Sequence, residues 1–228
     1  PVGETFDWVD RVSIEMTTYM LAILFNFPME DRRLLTHWSD MATSVEGIGT
    51  FEHDDAYREQ ELMKCLEYFT RLWHERKGNT DSFDFVSMLA NSPDTEGMIN
   101  DPMEYLGNII LLIVGGNDTT RNSLSGGVLA LNENPDQYDL LRNDDSLIYN
   151  MISEIIRWQT PLPHMRRTAL EDTEVGGKQI KKGDKVIMWY VSGNRDDSVI
   201  DKPNKFIIDR PKARHHLSFG FGIHRCMG

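Results

Sequence analysis

The stretch Phe219-Gly220-Phe221-Gly222-Ile223-His224-Arg225-Cys226-Met227-Gly228 places one cysteine behind a loop rich in glycine and phenylalanine. Glycine lacks a Cβ atom, so a loop with two glycines can bring its backbone close to a flat ligand. Backbone N–H groups beside a cysteine can also stabilise negative charge on its sulfur. The stretch therefore predicts a functional thiolate at Cys226 rather than an inert, buried cysteine.

A pair of opposite charges occurs in a predicted helix before this loop. Glu154-Ile155-Ile156-Arg157 separates the acid from the base by three residues, which brings both charges to one helix face. Taken alone, this spacing is that of an ordinary surface ion pair. A further arginine, Arg210, follows in Phe206-Ile207-Ile208-Asp209-Arg210.

A long helix is predicted from about residue 101 to residue 132, beginning at Asp101-Pro102. Its middle changes abruptly from the apolar residues 111–114 to the small and polar Gly115-Gly116-Asn117-Asp118-Thr119-Thr120. Two adjacent glycines cost about 2 kcal/mol in a helix interior relative to alanine. Some other interaction should offset that cost.

The remaining pattern predicts a mainly helical chain with a little β-structure. Two glycines and the lack of a steady period predict a loop at residues 43–53. Residues 166–191 have the character of strands, and residues 194–228 are expected to be mostly irregular. The other helices are predicted at about 5–27, shortly after Pro28, at 54–77, from Phe83 to Leu89, at 135–142 and at 146–159.

The composition limits the possible functions. A net charge of −12 argues against a nucleic-acid partner, because phosphate binding needs a basic face. Two cysteines cannot build a disulfide framework, which favours a reducing, cytoplasmic compartment. No stretch approaches the roughly 20 apolar residues of a membrane span.

Taken together, the patterns resemble the cytochrome P450 superfamily. That family's cysteine loop is matched by Phe219, Gly222, Cys226 and Gly228. Its E-x-x-R signature is matched by residues 154–157, and its long distal helix, which small residues open over the haem, is matched by residues 115–120. These matches occur in the family's order. The resemblance implies a mainly α fold with small β-sheets. The 228 residues would be an internal fragment of one haem-thiolate domain. Its N-terminal part and the helix after the cysteine would be missing, and residues 211–228 would form the cysteine loop.

The resemblance also implies a cofactor, haem b, with Cys226 as the axial iron ligand. A thiolate ligand favours cleavage of the O–O bond, whereas a neutral histidine favours reversible binding. Phe219 and Gly222 would line the haem, and Arg167 and His224 would pair with its propionates. Thr119 and Asp118 would be the alcohol and acid that supply protons during activation of dioxygen. Glu154, Arg157 and Arg210 would form a buried structural triad.

One branch is especially similar, the soluble bacterial hydroxylases that attack the terminal methyl group of medium-chain n-alkanes. The similarity to this branch lies in residues 5–40, 111–134, 153–167 and 184–196. The residues expected to face the substrate are Leu111, Val114, Leu162 and Met165. They are apolar, which suits a hydrocarbon, although core packing is an equally good explanation for each. Any other lipophilic substrate would need the same surface.

Electrons must come from outside this chain, because it contains no flavin or dinucleotide fingerprint. The resemblance implies an iron–sulfur ferredoxin and a flavin-containing ferredoxin reductase that draw electrons from NAD(P)H. Arg225 is a candidate contact for an acidic ferredoxin. Arg142 is a second candidate, although it also fits an ordinary solvated surface charge.

Four alternatives remain open from the sequence. The same motifs would serve a steroid or fatty-acid hydroxylase. A haem-binding sensor or carrier without turnover would not need the acid and alcohol at Asp118 and Thr119. The chain could also be an interaction domain without haem. A zinc site would draw its ligands from His215, His216, His224 and Cys226.

Overall fold

The computed structural model describes residues 3–44 and 55–226. The chain divides into two compact units, Pro1–Arg121 and Asn122–Gly228, and the division falls within one long helix. Most of the predicted loop at residues 43–53 lies outside the described residues.

The first unit is helical. A π-helical turn, Val9–Ile14, leads directly into α1, Glu15–Leu24, so the predicted first helix is present but changes its geometry midway. The unit continues with α2 (Arg33–Thr43), α3 (Asp55–Arg76), α4 (Phe85–Asn91) and the start of α5 (Pro102–Glu133). Short 3₁₀ turns at Met29–Asp31 and Met98–Asn100 precede α2 and α5.

Aromatic side chains form the centre of the first unit's core. Phe27 stacks on Tyr68 with ring centroids 4.8 Å apart, and Phe25 meets Phe69 edge-to-face at 5.3 Å. Ring pairs of this geometry add to the free energy gained by burial alone. The core holds α1, α3 and the first half of α5 in fixed positions.

The second unit combines helices with two small sheets. It contains the rest of α5, then α6 (Pro135–Asn143) and α7 (Ile148–Gln159), with a 3₁₀ turn at Asp145–Leu147 between them. Its small core is built around Ala130, Phe206 and Ile208. Residues 194–226 contain no helix or strand, in agreement with the sequence prediction.

Both sheets are antiparallel pairs, and their strands lie in the segment predicted as strands except for residues 164 and 165, which precede it. β1 (His164–Thr168) pairs with β4 (Lys185–Trp189), and β2 (Thr173–Val175) pairs with β3 (Lys178–Ile180). The last strand ends at Trp189, before the end of the segment predicted as strands, and the chain continues as a short helix, α8 (Tyr190–Gly193). The fold is mainly α with small β-sheets, as predicted.

Among the described residues, no helix combines the length and the apolar character that crossing a lipid bilayer requires.

Candidate active site

Glu154, Arg157 and Arg210 meet in the interior of the second unit, and we call them the Glu154 cluster. Arg157 donates from Nε to Glu154 Oε2 (2.7 Å) and from Nη2 to Oε1 (2.8 Å), while Arg210 Nε lies 2.9 Å from Oε2. The side chains are 0–7% exposed. Two cations face one carboxylate, so further acceptors are needed at this depth.

Backbone carbonyl groups supply those acceptors. Arg157 donates to the carbonyls of Asn194 (2.8 Å), Pro203 (2.9 Å) and Lys205 (3.1 Å). Arg210 also donates to the carbonyl of Lys205, at 2.9 Å. The Glu154 cluster therefore anchors the irregular segment 194–210 to α7.

Asn194 is a buried residue that the sequence analysis did not single out. Its Nδ2 donates to Thr160 Oγ1 (2.9 Å) and to Ser218 Oγ (2.8 Å), and its Oδ1 accepts from the backbone N–H of Leu217 (2.7 Å). Ser218 in turn donates to the carbonyl of Ile156 on α7 (2.8 Å). One asparagine thus ties the start of the cysteine loop to α7. A lone asparagine before Arg195 carries no local signal of such a role.

The cysteine loop turns back on itself before Cys226. The backbone N–H of Cys226 donates to the carbonyl of Phe219 (2.9 Å), and that of Arg225 donates to Gly222 (3.0 Å). Gly220 and Gly222 have φ angles of +71° and +85°, a region that side chains with a Cβ rarely occupy. The glycines are therefore required by the turn itself.

Cys226 is exposed at the end of this loop, and the neighbouring apolar side chains are exposed with it. Phe221 and Ile223 are 83% and 96% exposed, and there is open space where a Cβ on Gly222 would lie. Exposed apolar residues beside a thiol are typical of a binding surface rather than of a packed core. His224 is also exposed, two residues before the thiol.

The β1–β4 pair places two predicted residues on one face. Side chains alternate along β1, so Met165 and Arg167 point to the same side and are half-buried, across from Met188 and Val186. Leu162 is exposed just before β1.

Four of the predicted site residues lie on one side of α5. Leu111, Val114, Asp118 and Thr119 follow the spacing i, i+3, i+7 and i+8, which corresponds to one face of a helix. Leu111 is exposed, and the other three are half-buried. All four belong to the first unit, whereas the other predicted site residues belong to the second.

The two adjacent glycines of α5 have different surroundings. A Cβ on Gly116 would come within 2.7 Å of Leu21 Cδ2, so this glycine permits close packing against α1. Gly115 faces open space on the same side as Asp118 and Thr119. The resemblance implies an opened helix here, but α5 remains helical from Pro102 to Glu133.

Asp118 belongs to a second charged group, the Asp118 cluster of Asp118, Arg121 and Asp40. Arg121 Nη2 lies 2.8 Å from Asp118 Oδ1 and 3.2 Å from Asp40 Oδ1 on α2. Burial raises the pKa of Asp118, the charge of Arg121 lowers it and that of Asp40 raises it. Thr119 Oγ1 donates to the Gly115 carbonyl at 3.0 Å.

The zinc alternative finds no support in the part of the chain that the structure describes. No three His, Cys, Asp or Glu residues there are placed to hold a metal ion, although all four proposed ligands are included. His216 instead packs against Phe219, with ring centroids 5.1 Å apart, and burial lowers its pKa. His215 is exposed.

Comparison with known sequences places these features in a family. The sequence model described as Cytochrome P450 matches residues 2–228, and the chain belongs to this family. Linalool 8-monooxygenase of Pseudomonas putida is 36% identical over an alignment that covers 100% of this chain and 55% of that protein. Steroid C26-monooxygenase of Mycolicibacterium smegmatis is 36% identical, with 97% and 50% covered.

Solved structures agree with this assignment. Cytochrome P450-153 from Novosphingobium aromaticivorans superposes with a TM-score of 0.89 at 54% identity, covering 99% of this chain and 54% of that one. CYP153D17 from Sphingomonas sp. PAMC 26605 gives a TM-score of 0.86 at 50% identity, covering 98% and 55%. The chain spans about half the length of the curated relatives it matches.

Proposed function

We propose that the protein containing this chain is a haem-thiolate monooxygenase that inserts one oxygen atom from O2 into a C–H bond of a lipophilic substrate. The observation that carries the proposal is the exposed Cys226 thiol, presented among exposed apolar side chains by a loop that is anchored to α7. A cysteine in such an exposed loop is better suited to act as a thiolate ligand than a cysteine in the core.

The residues around Cys226 fit haem b. Cys226 would be the thiolate ligand of the haem iron, and Phe219 and Gly222 would line the haem. Arg167 and His224 would hold the two propionates. When bound, haem supplies the electron-transfer and dioxygen chemistry that side chains cannot perform.

Asp118 and Thr119 would supply protons from α5. The Thr119 hydroxyl donates to the Gly115 carbonyl, on the side of α5 that also bears Asp118. The carboxyl of Asp118 lies one residue away and has a raised pKa, because it is partly buried. A carboxyl group with a raised pKa holds its proton to higher pH than a free aspartate does, which suits a group that supplies protons.

The substrate we propose is a medium-chain n-alkane, hydroxylated at its terminal carbon. The support is the resemblance to the bacterial alkane hydroxylases together with the apolar Leu111, Val114, Leu162 and Met165. A steroid or terpenoid side chain is the second candidate, because two relatives at 36% identity are named steroid C26-monooxygenase and linalool 8-monooxygenase.

The remaining proposals concern partners and location. Electrons would reach the haem from NAD(P)H through a flavin-containing ferredoxin reductase and an iron–sulfur ferredoxin, with Arg225 as a contact. The protein would work in the cytoplasm.

A carbon monoxide difference spectrum of the reduced full-length protein tests the cofactor. We expect the red-shifted Soret band of thiolate ligation, lost in Cys226→Ala and kept in Cys65→Ala, a matched control because Cys65 is a buried core residue. A wild-type protein without the band would favour an interaction domain without haem and would overturn the proposal.

Substrate titrations then separate the two substrate classes. We expect octane to shift the haem spin state and to give 1-octanol on turnover, and sterols to have a weaker effect. A stronger response to sterols would favour the second candidate. A haem-thiolate band without any product would point to a sensor or carrier.

A further inference from the structure

Arg121 holds Asp118 and Asp40 at the same time. Its Nη2 atom lies 2.8 Å from Asp118 and 3.2 Å from Asp40, so one nitrogen is shared between a carboxylate on α5 and a carboxylate on α2. The three side chains are 18–23% exposed. Partial burial makes these interactions stronger than those of exposed ion pairs.

The two partners act on Asp118 in opposite directions. The positive charge of Arg121 stabilises the ionised carboxylate and lowers its pKa, whereas the negative charge of Asp40 raises it. Burial raises the pKa further and is the largest influence. The cluster as a whole contains two acids and one base, so its net charge is −1 when all three are ionised.

Neighbours from two helices complete the surroundings of Asp118. From α5, Asn117 Nδ2 lies 3.3 Å from Asp118 Oδ1. From α2, Ser39 is fully buried and lowers the pKa of Asp118, yet its hydroxyl makes no hydrogen bond of normal geometry within the described residues. A buried hydroxyl without a partner is costly and rare. The Ser39 hydroxyl is thus a polar group near Asp118 that favours the ionised carboxylate.

We propose that Asp40 and Arg121 are positioning residues that hold the Asp118 carboxyl against α2 and set how readily it takes up and releases a proton. The inference rests on the proposed function, in which Asp118 takes part in proton supply. It adds that α2 contributes to this supply through Asp40, although α2 carries none of the residues predicted from the family motifs.

Two variants of the full-length protein should move the pH response in opposite directions. In Arg121→Gln the carboxyl of Asp118 faces Asp40 without a cation, so the pH profile of product formed per electron should move to higher pH. In Asp40→Asn the repulsion is removed, so the profile should move to lower pH. We expect coupling at neutral pH to fall about threefold in either variant, against roughly a hundredfold when a general acid is removed.

An infrared titration provides a readout that does not depend on turnover. The protonated-carboxyl band that disappears in Asp118→Asn should titrate at higher pH in Arg121→Gln and at lower pH in Asp40→Asn. Arg121→Lys keeps the charge and should largely restore the wild-type titration. Arg32→Gln is a matched control, because it breaks another ion pair of the same unit, with Glu15 at 2.7 Å, and should leave the band unmoved.

The outcomes separate this inference from the proposed function. Opposite shifts in the two variants support the inference. Shifts in the same direction, or none, in a wild-type protein that shows the thiolate band and turns over octane overturn the inference alone. A wild-type protein without the thiolate band overturns the proposed function, and with it the role in proton supply.

Discussion

The Glu154 cluster and the Asp118 cluster begin from the same local pattern, an acid followed three residues later by arginine on one helix. In α7 the third member is a cation, Arg210, and the group is 0–7% exposed. In α5 the third member is an acid, Asp40, and the group is 18–23% exposed. The i, i+3 spacing is the same in both clusters. The charge of the third partner and the depth of burial are what distinguish them.

The chemical consequences of the two clusters differ. In the Glu154 cluster the carboxylate and neutral backbone carbonyls together satisfy both arginines, and loss of the carboxylate would leave buried charges unpaired, which suits a fixed anchor. In the Asp118 cluster one arginine pairs with two carboxylates that are partly exposed, which is the arrangement on which the proposed proton supply rests. Under that proposal, an anchor and a proton donor are built from the same residue types.

The largest effect is expected from Glu154→Gln. The substitution leaves two buried guanidinium groups without a carboxylate, which should reduce the free energy of unfolding by at least about 3 kcal/mol. Urea denaturation of the full-length protein measures this loss. Asp139→Asn is the control, because Asp139 forms an exposed i, i+3 pair with Arg142 and should change stability by less than about 1 kcal/mol. Similar losses in both variants would mean that burial does not distinguish the pairs.

Asn194→Ala should have the next largest effect, about 2–3 kcal/mol, because three side-chain hydrogen bonds are lost, two of them buried and one partly buried. Haem content should fall as well, since Asn194 holds the start of the cysteine loop. Asn132→Ala removes an exposed side chain that donates only to its own helix, and it should change stability by less than about 0.5 kcal/mol. An unchanged haem content in Asn194→Ala would contradict the anchoring role.

Alanine substitutions at the two adjacent glycines of α5 should change the stability of the protein in opposite directions. Gly116→Ala introduces a methyl group against Leu21 and should destabilise the protein by about 1–3 kcal/mol. The methyl group that Gly115→Ala adds would lie in open space, so this substitution should stabilise the helix by up to about 1 kcal/mol. Thermal unfolding distinguishes the two. Destabilisation by Gly115→Ala would show that the face bearing Asp118 is packed and not open.

The smallest change in stability is expected from Asp118→Asn, less than about 1 kcal/mol. Its pH dependence has a definite sign. Since burial raises the pKa of Asp118, the folded state binds the proton more tightly, and the associated stability is lost as pH rises through the folded pKa. The asparagine side chain does not ionise, so the variant should gain stability relative to wild type as pH increases. The opposite trend in urea titrations would contradict a raised pKa.

Much of the fold could be predicted because helices follow from local patterns. The long helix predicted at about 101–132 is observed at Pro102–Glu133, and the helix predicted at 54–77 is observed at Asp55–Arg76. The change to π-helical geometry at Val9–Ile14 could not be predicted, because nothing in the local periodicity distinguishes it.

The candidate site likewise has one part that the local sequence determines and another part that tertiary packing determines. The sequence by itself determined which residues share a helix face or a loop, such as Asp118 with Thr119 and Phe219 with Cys226, because backbone geometry sets those distances. Only the tertiary structure decided that Glu154 meets Arg210 across 56 residues and that Arg121 meets Asp40 across 81. Contacts at such separation depend on how helices and the irregular segment pack against one another, and the local backbone geometry of the sequence does not set those distances.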